Sequence, residues 1–168
     1  LERDGFEIIG YTWIFGNDVD TDQIISGRYL RILDYTEMAT HAFETINPDF
    51  AKNVKENDVI IAGRNFGSGS SREEAPMVLK ELGIGCVIAT SFARIFYRNA
   101  FNIGLPVMIV PDIHSKINAG EKMRVNIQTG TLIIIESGEQ YKGEAIPEMM
   151  LDFIRMRGVI PRYLKNKK

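Results

Sequence analysis

Three short apolar runs, spaced so that a helix fits between each pair, constrain this chain more than any other feature. Asp58-Val-Ile-Ile-Ala-Gly63, Gly85-Cys-Val-Ile-Ala89 and Pro106-Val-Met-Ile-Val110 are continuously apolar at their centres. Strands covered on both faces read this way, because neither face can tolerate polar side chains. Between the runs lie Glu74 to Leu82, ended by Gly83, and Phe92 to Asn102, closed by Gly104, with Ser91 placed to cap the second. Strand, helix, strand, helix, strand with short joints is a doubled βαβ unit, so a mainly parallel sheet is predicted.

The flanks add to this core. Ile8 to Phe15 reads as a strand before Gly16-Asn17-Asp18. Asp18 to Ile32 has no clean period and reads as a structured loop. Tyr35 to Phe43 follows helical spacing, with Asp34 or Thr36 as its cap, and Asn47-Pro48-Asp49 breaks the chain. Lys122–Gln128 and Thr131–Ser137 form a hairpin across Thr129-Gly130, Gln140–Gly143 adds a short strand, and Ile146 to Met156 is a final helix with Pro147 in its first turn. No repeat or linker divides the chain. The prediction is one α/β domain over residues 1–168, in which a parallel βαβ core meets antiparallel strands.

Composition removes several functions. Lys and Arg number 20 against 22 Asp and Glu, so no basic excess points to nucleic acid. Cys86 is the only cysteine, which excludes an intrachain disulfide, and one thiolate cannot hold an iron–sulfur cluster or a structural zinc. His41 and His114 stand at no familiar ligand spacing, so no metal site is expected. The apolar runs are far too short to cross a bilayer. The opening Leu1-Glu2-Arg3-Asp4 is charged where a signal peptide is apolar, so the expectation is cytoplasmic, with no membrane. The basic tail from Arg162 to Lys168 reads as a solvated end.

Four segments carry chemistry. The strongest is Gly63 to Glu74, where a buried strand runs through a glycine–serine loop into a helix. Gly67 and Gly69 allow positive φ and close backbone approach. Ser70 with Glu73, or Ser71 with Glu74, spells a capping box. Exposed amides, two hydroxyls and Arg72 at the positive end of a helix suit a carboxylate or phosphate, and the same field favours a serine alkoxide acting as a base. A plain capped turn is the bland alternative. A P-loop needs a lysine that the loop lacks, and a dinucleotide fold needs a third glycine. A serine hydrolase needs a placed histidine. In the second segment, Asp18, Asp20 and Asp22 do not follow the calcium-loop pattern. Clustered carboxylates need donors or a cation, which points to Asp22 orienting an arginine or a substrate hydroxyl, with turn and cap chemistry for all three as the alternative. Third, Arg31, within Tyr29-Leu30-Arg31-Ile32, suits a bidentate carboxylate clamp on a loop expected to be mobile before assembly. Fourth, Ser91 to Ala100 is mostly core and capping, with Arg94 and Arg98 one turn apart.

Val19-Asp-Thr-Asp-Gln-Ile-Ile25, Asn65-Phe-Gly-Ser-Gly-Ser-Ser-Arg-Glu73 and Ser91-Phe-Ala-Arg-Ile-Phe-Tyr-Arg-Asn99 together resemble the small subunits of 3-isopropylmalate dehydratases, equivalent to the swivelling domain of the aconitase superfamily. The resemblance is strong from Gly10 to Val110 and rests on length and pattern beyond. It implies a swivelling β/β/α three-layer domain. It implies Ser70 as catalytic base, Ser71 and Arg72 as carboxylate ligands, Asp22 as the active-site aspartate, and Arg31 beside the variable substituent of a malate-type substrate. It also implies a large-subunit partner, as a heterodimer or heterotetramer. That partner would carry a [4Fe–4S] cluster, the Lewis acid for the departing hydroxyl, and this chain would bind none. The implied reaction is isomerisation of (2S)-2-isopropylmalate to (2R,3S)-3-isopropylmalate in leucine biosynthesis.

Two positions depart from the pattern. Glu74 stands where many relatives have histidine. Arg31 suits an extra carboxylate better than an isopropyl group, because an unpaired guanidinium against apolar surface is costly. Homoaconitase or a dimethylmalate-type dehydratase is therefore the alternative within the enzyme class. A non-catalytic carboxylate-binding module, or a structural protein whose loop only turns the chain, is the alternative outside it.

Overall fold

The computed structural model describes residues 6–156 and residue 158, so Leu1-Glu2-Arg3-Asp4 and the basic tail lie outside the described residues. Seven strands form one mixed sheet in the order β4-β3-β2-β1-β5-β6-β7. Strand β1 spans Glu7–Ile14, β2 Val59–Ala62, β3 Cys86–Ala89 and β4 Val107–Ile109. These four run parallel, with Thr12 opposite Val59, Val59 opposite Cys86 and Val87 opposite Val107. Strands β5 (Lys122–Asn126), β6 (Thr131–Ile134) and β7 (Gln140–Lys142) continue the sheet antiparallel from the other side of β1. A parallel βαβ core with antiparallel strands is thus what the chain forms, and β1 joins its halves.

Burial explains the two strand patterns. Every residue of β2 and β3 is buried, as their continuous apolar runs require. In β5 and β6, Met123, Val125, Leu132 and Ile134 are buried while Arg124 turns outward, the alternation of a sheet covered on one face. Helices α4 (Glu74–Glu81) and α5 (Arg94–Asn102) make the crossovers, and α6 (Glu148–Arg155) packs on α5. Asp58 is buried at the foot of β2, where its carboxylate accepts hydrogen bonds from the amides of Tyr11 and Lys55 and from Trp13 Nε1. Those donors stand in for water and make the buried charge tolerable.

Several boundaries differ from the sequence reading. The stretch from Asp18 to Ile32 contains helix α1 (Thr21–Ile24), opened by a reciprocal Asp20–Gln23 capping box, and a 3-10 turn over Gly27–Tyr29. Four residues are too few for a helical period to show. Helix α2 covers only Tyr35–Ala39, capped by Asp34, because Phe43 adopts φ 56° and gives its amide to Ile24 rather than to a preceding turn. Helix α3 covers Phe50–Asn53. Strand β6 stops at Ile134, where the Gly138 amide returns to its carbonyl.

A chain of aromatic contacts links this scaffold to the loops above it. Phe15 stacks on Phe43 at 4.2 Å, and Phe50 meets both edge-on. Phe66 lies 5.2 Å from Phe96 at 82°, and Phe92 stacks parallel to Phe96. Such edge-to-face pairs add about 0.5–1.5 kcal/mol each beyond their burial. They pin the segment after β2 against α5.

Candidate active site

Strands β1, β2 and β3 are parallel, so the segments leaving them emerge at the same edge of the sheet. Open α/β sheets bind ligands outside such an edge. Backbone hydrogen bonds sew the segments together there. Asp18 donates to Arg64, Gly67 to Val19, and Thr21 to Ser68, at 2.7–2.9 Å. The Phe66 amide donates to the Ser91 carbonyl and Ala93 to Phe66. Side chains complete the seam: Asn17 Oδ1 accepts the Arg64 amide at 2.9 Å, and Ser91 Oγ accepts the Asn65 amide at 2.8 Å.

That last bond corrects one expectation. Ser91 does not cap α5, whose N-cap position is Ala93 with no side-chain bond. Its hydroxyl is taken by the neighbouring loop. Nor does either serine pair form a capping box on α4, which begins at Glu74 with Glu73 uncapped. The loop instead makes a tight turn in which the Arg72 amide donates to the Ser70 carbonyl at 2.8 Å. Ser70 and Ser71 are exposed, and neither hydroxyl has a hydrogen-bond partner among the described residues.

The turn's shape is set by unusual dihedrals. Gly67 and Gly69 adopt φ of 82° and 92°, and Asp18 and Asn65 adopt 55° and 57°. Asparagine and aspartate are the non-glycine residues that tolerate this region best. Asn65 Nδ2 donates to Asp18 Oδ1 at 3.2 Å, so the two turns brace each other. At Gly67 a Cβ would lie 2.3 Å from Phe96 Cγ, leaving no room for a side chain.

Asp22 and Arg72 meet beside this loop. Asp22 Oδ1 accepts from Arg72 Nη1 at 2.8 Å and from the Gly27 amide at 3.0 Å. Arg72 Nη1 also donates to the Ile25 carbonyl at 3.0 Å, so both of its hydrogens are used. The Arg72 guanidinium, then the Gly27 amide, hold the Asp22 carboxyl below the usual carboxylate range. Arg72's Nε and Nη2 donors have no partner among the described residues and remain available for a planar anion. The side chain of Arg72 is 21% exposed and that of Asp22 65%, which puts the pair at an opening rather than in the core.

Arg31 is exposed and makes no ion pair among the described residues, while Leu30 and Ile32 on either side are half-buried against the core. The expected mobility of this loop meets an anchor: Tyr29 stacks on His41 at 3.8 Å and 9°, and its hydroxyl donates to Glu44. Arg94 and Arg98 lie exposed on α5, and Arg64 faces Asp18 at 3.4 Å. Glu74, in the position noted for histidine, is the first residue of α4.

Sequence reasoning gave Asn17 and Asn65 no role of their own, named Tyr29 only beside Arg31, and missed the contact of Tyr29 with His41 and Glu44. The only local signal for the first two was their position in turns within two residues of glycine. For the contact of Tyr29 with His41 and Glu44 there was none, because it joins segments more than ten residues apart.

Residues 46–111 match the Aconitase C-terminal domain family. The isopropylmalate/citramalate isomerase small subunit of Methanocaldococcus jannaschii is 49% identical over 160 residues, covering 95% of each chain. The chain belongs to the 3-isopropylmalate dehydratase small-subunit family. Another member, the 3-isopropylmalate dehydratase small subunit of Methanosarcina mazei, is 50% identical over 90% of this chain and 93% of its own. The crystal structure of a 3-isopropylmalate dehydratase from Methanocaldococcus jannaschii superposes with a TM-score of 0.91 at 42% identity, over 96% of this chain and 95% of that one. Members of this small-subunit family are components of hydro-lyases, and this chain is one of them.

The donor set bears on the iron–sulfur cluster that the sequence resemblance implies. The single thiol, Cys86, is fully buried inside β3, and burial pushes its pKa up, away from the thiolate that iron requires. No group of three His, Cys, Asp or Glu among the described residues is placed to hold a metal ion. The residues present do not fit a cluster.

Proposed function

We propose that this chain is the small subunit of a two-subunit 3-isopropylmalate dehydratase. The reaction removes water from (2S)-2-isopropylmalate and re-adds it with the hydroxyl on the neighbouring carbon, giving (2R,3S)-3-isopropylmalate for leucine biosynthesis. One observation carries the reading. The exposed Ser70-Ser71 turn adjoins an arginine whose outer donors are open, at the carboxyl edge of the parallel strands.

Ser70, as alkoxide, takes the proton from the carbon next to a carboxylate. The freed electron pair forms the double bond as hydroxide leaves, and water adds back in reverse. Ser70 lies four residues before the first residue of α4, and stabilisation of its alkoxide is part of the proposal. The Ser71 hydroxyl and the Arg72 Nε and Nη2 donors hold the substrate carboxylate. Asp22 fixes the plane of the guanidinium and keeps it from turning away. A partner large subunit would hold the [4Fe–4S] cluster, which would supply Lewis acidity toward the departing hydroxyl. The whole chain acts as one swivelling unit against that partner, as a heterodimer or heterotetramer in the cytoplasm. No helix among the described residues is long and apolar enough to cross a membrane.

The test is reconstitution with a cluster-bearing large subunit. Ser70→Ala should lower kcat roughly 10²–10⁴-fold with KM nearly unchanged. Its Tm should stay within about 1 °C, because an exposed hydroxyl is being removed. Full turnover by the variant would sink the assignment. An isolated chain that binds carboxylates yet gains no activity with any such partner would favour a non-catalytic binding module.

Arg31 favours a second reading. Exposed and unpaired among the described residues, it suits a substrate with an additional carboxylate, as in homoaconitase. Arg31→Val should then weaken turnover of the tricarboxylate and spare the isopropyl substrate. Equal effects on both would remove Arg31 from specificity.

A further inference from the structure

We infer that His41 and Glu44 are positioning residues for the substrate loop, holding Tyr29 so that Arg31, two residues on, points at the substituent of the bound acid. The inference rests on the functional reading above, which puts that loop beside the substrate.

The loop is only partly held by its own packing, with Leu30 and Ile32 half-buried against the core and Arg31 exposed between them. The 3-10 turn over Gly27–Tyr29 has only three residues, and Ser26 in front of it gives no side-chain cap. Two further fastenings act at its ends. At one end the Gly27 amide donates to Asp22. At the other, Tyr29 lies parallel to His41 at 3.8 Å and gives its hydroxyl hydrogen to Glu44 Oε2. Glu44 Oε1 lies 3.6 Å from His41 Nδ1, which makes an ion pair whenever the imidazole is protonated.

The direction of the phenol–carboxylate bond is fixed. Glu44 pushes the Tyr29 hydroxyl up from its ordinary pKa, and the same bond holds Glu44 below the usual carboxylate range. The proton therefore stays on Tyr29. The platform beneath is firm, because Ala42 and Phe43, between His41 and Glu44, are buried in the core. The loop is thus slung between Asp22, in the proposed catalytic group, and a rigid core segment. Loosening the second fastening widens the motion open to Arg31 between Leu30 and Ile32 without touching Ser70 or Arg72.

Glu44→Ala, in the enzyme reconstituted with a large subunit, should raise KM about tenfold with kcat within about twofold. It should also shift the kcat/KM ratio between isopropyl- and carboxyl-substituted malates. In the isolated chain, amide hydrogen exchange should quicken over residues 27–33 and nowhere else. Glu44→Gln keeps an acceptor for the Tyr29 hydroxyl and should restore all three readouts. If Glu44→Ala does not fold, Tyr29→Phe deletes the hydroxyl while leaving the stack, and should show the same pattern. A lowered Tm with unchanged KM and unchanged substrate ratio would overturn the inference, as would exchange in residues 27–33 that does not respond. A wild-type assembly inert on every malate-type acid would sink the functional reading instead. Exchange alone would then decide whether this brace holds the loop.

Discussion

Gly67→Ala is the sharpest test of how the catalytic turn is built. Two costs apply at this position. The backbone sits at φ 82°, where an L-residue is disfavoured by roughly 1–2 kcal/mol, partly offset by the smaller conformational freedom of alanine in the unfolded chain. The added Cβ would also lie 2.3 Å from Phe96 Cγ and 2.4 Å from its Cβ, inside a buried aromatic contact that cannot yield cheaply. Overpacking of that kind costs about 1–3 kcal/mol. Gly120 separates the two costs, because it has the same φ of 82° and nothing within 4 Å of a built Cβ. Gly120→Ala should therefore cost about 1 kcal/mol, and Gly67→Ala roughly 2–4. At roughly 2–4 °C of Tm per kcal/mol for a domain of this size, melting should fall by a few degrees in the first and by about 5–15 °C in the second. Urea denaturation monitored through Trp13 measures the same difference. Equal losses in the two variants would refute the packing argument at Phe96.

Other expectations are quicker to check. Asp22 has a depressed carboxyl pKa in the folded chain, so its contribution to stability is present above the unfolded value, near 4, and fades as pH falls through the folded one. Titration of Asp22 by carboxyl NMR should therefore show a midpoint below that of a free aspartate, returning toward the free value in Arg72→Met. A normal midpoint in the wild type would break the assigned Asp22–Arg72 contact. Cys86 should resist thiol reagents until global unfolding, because it is fully buried and its thiol pKa is raised. Labelling of the native chain within minutes at neutral pH would contradict its placement in β3.

The parallel core could be read from the chain because its signals are local. Ile60, Ile61, Val87 and Ile88 sit in unbroken apolar runs, and Gly83 and Gly104 punctuate the helices between them. The pairing of Asp22 with Arg72 was legible in part, since clustered carboxylates need a cation or donors. What escaped was long-range exchange of hydrogen bonds. Ser91 carries the pattern of a cap, yet its hydroxyl is claimed by the Asn65 amide, 26 residues away. The Ser–Glu spacings before α4 likewise spell a capping box, but the glycine turn carries both serines outward. A local propensity loses when a neighbouring loop offers a better partner. The stacking of Tyr29 on His41 left no periodic trace, because neither residue lies within a regular helix.

Strand β1 has a consequence for how the chain comes off the ribosome. Its antiparallel neighbour begins only at Lys122, and Glu7 pairs with Asn126. At about 5–20 residues per second, that flank stays unsatisfied for roughly 6–22 seconds after the strand itself has been made. During that interval the nascent protein shows an open row of amides and carbonyls along Glu7 to Tyr11, a template for pairing with other chains.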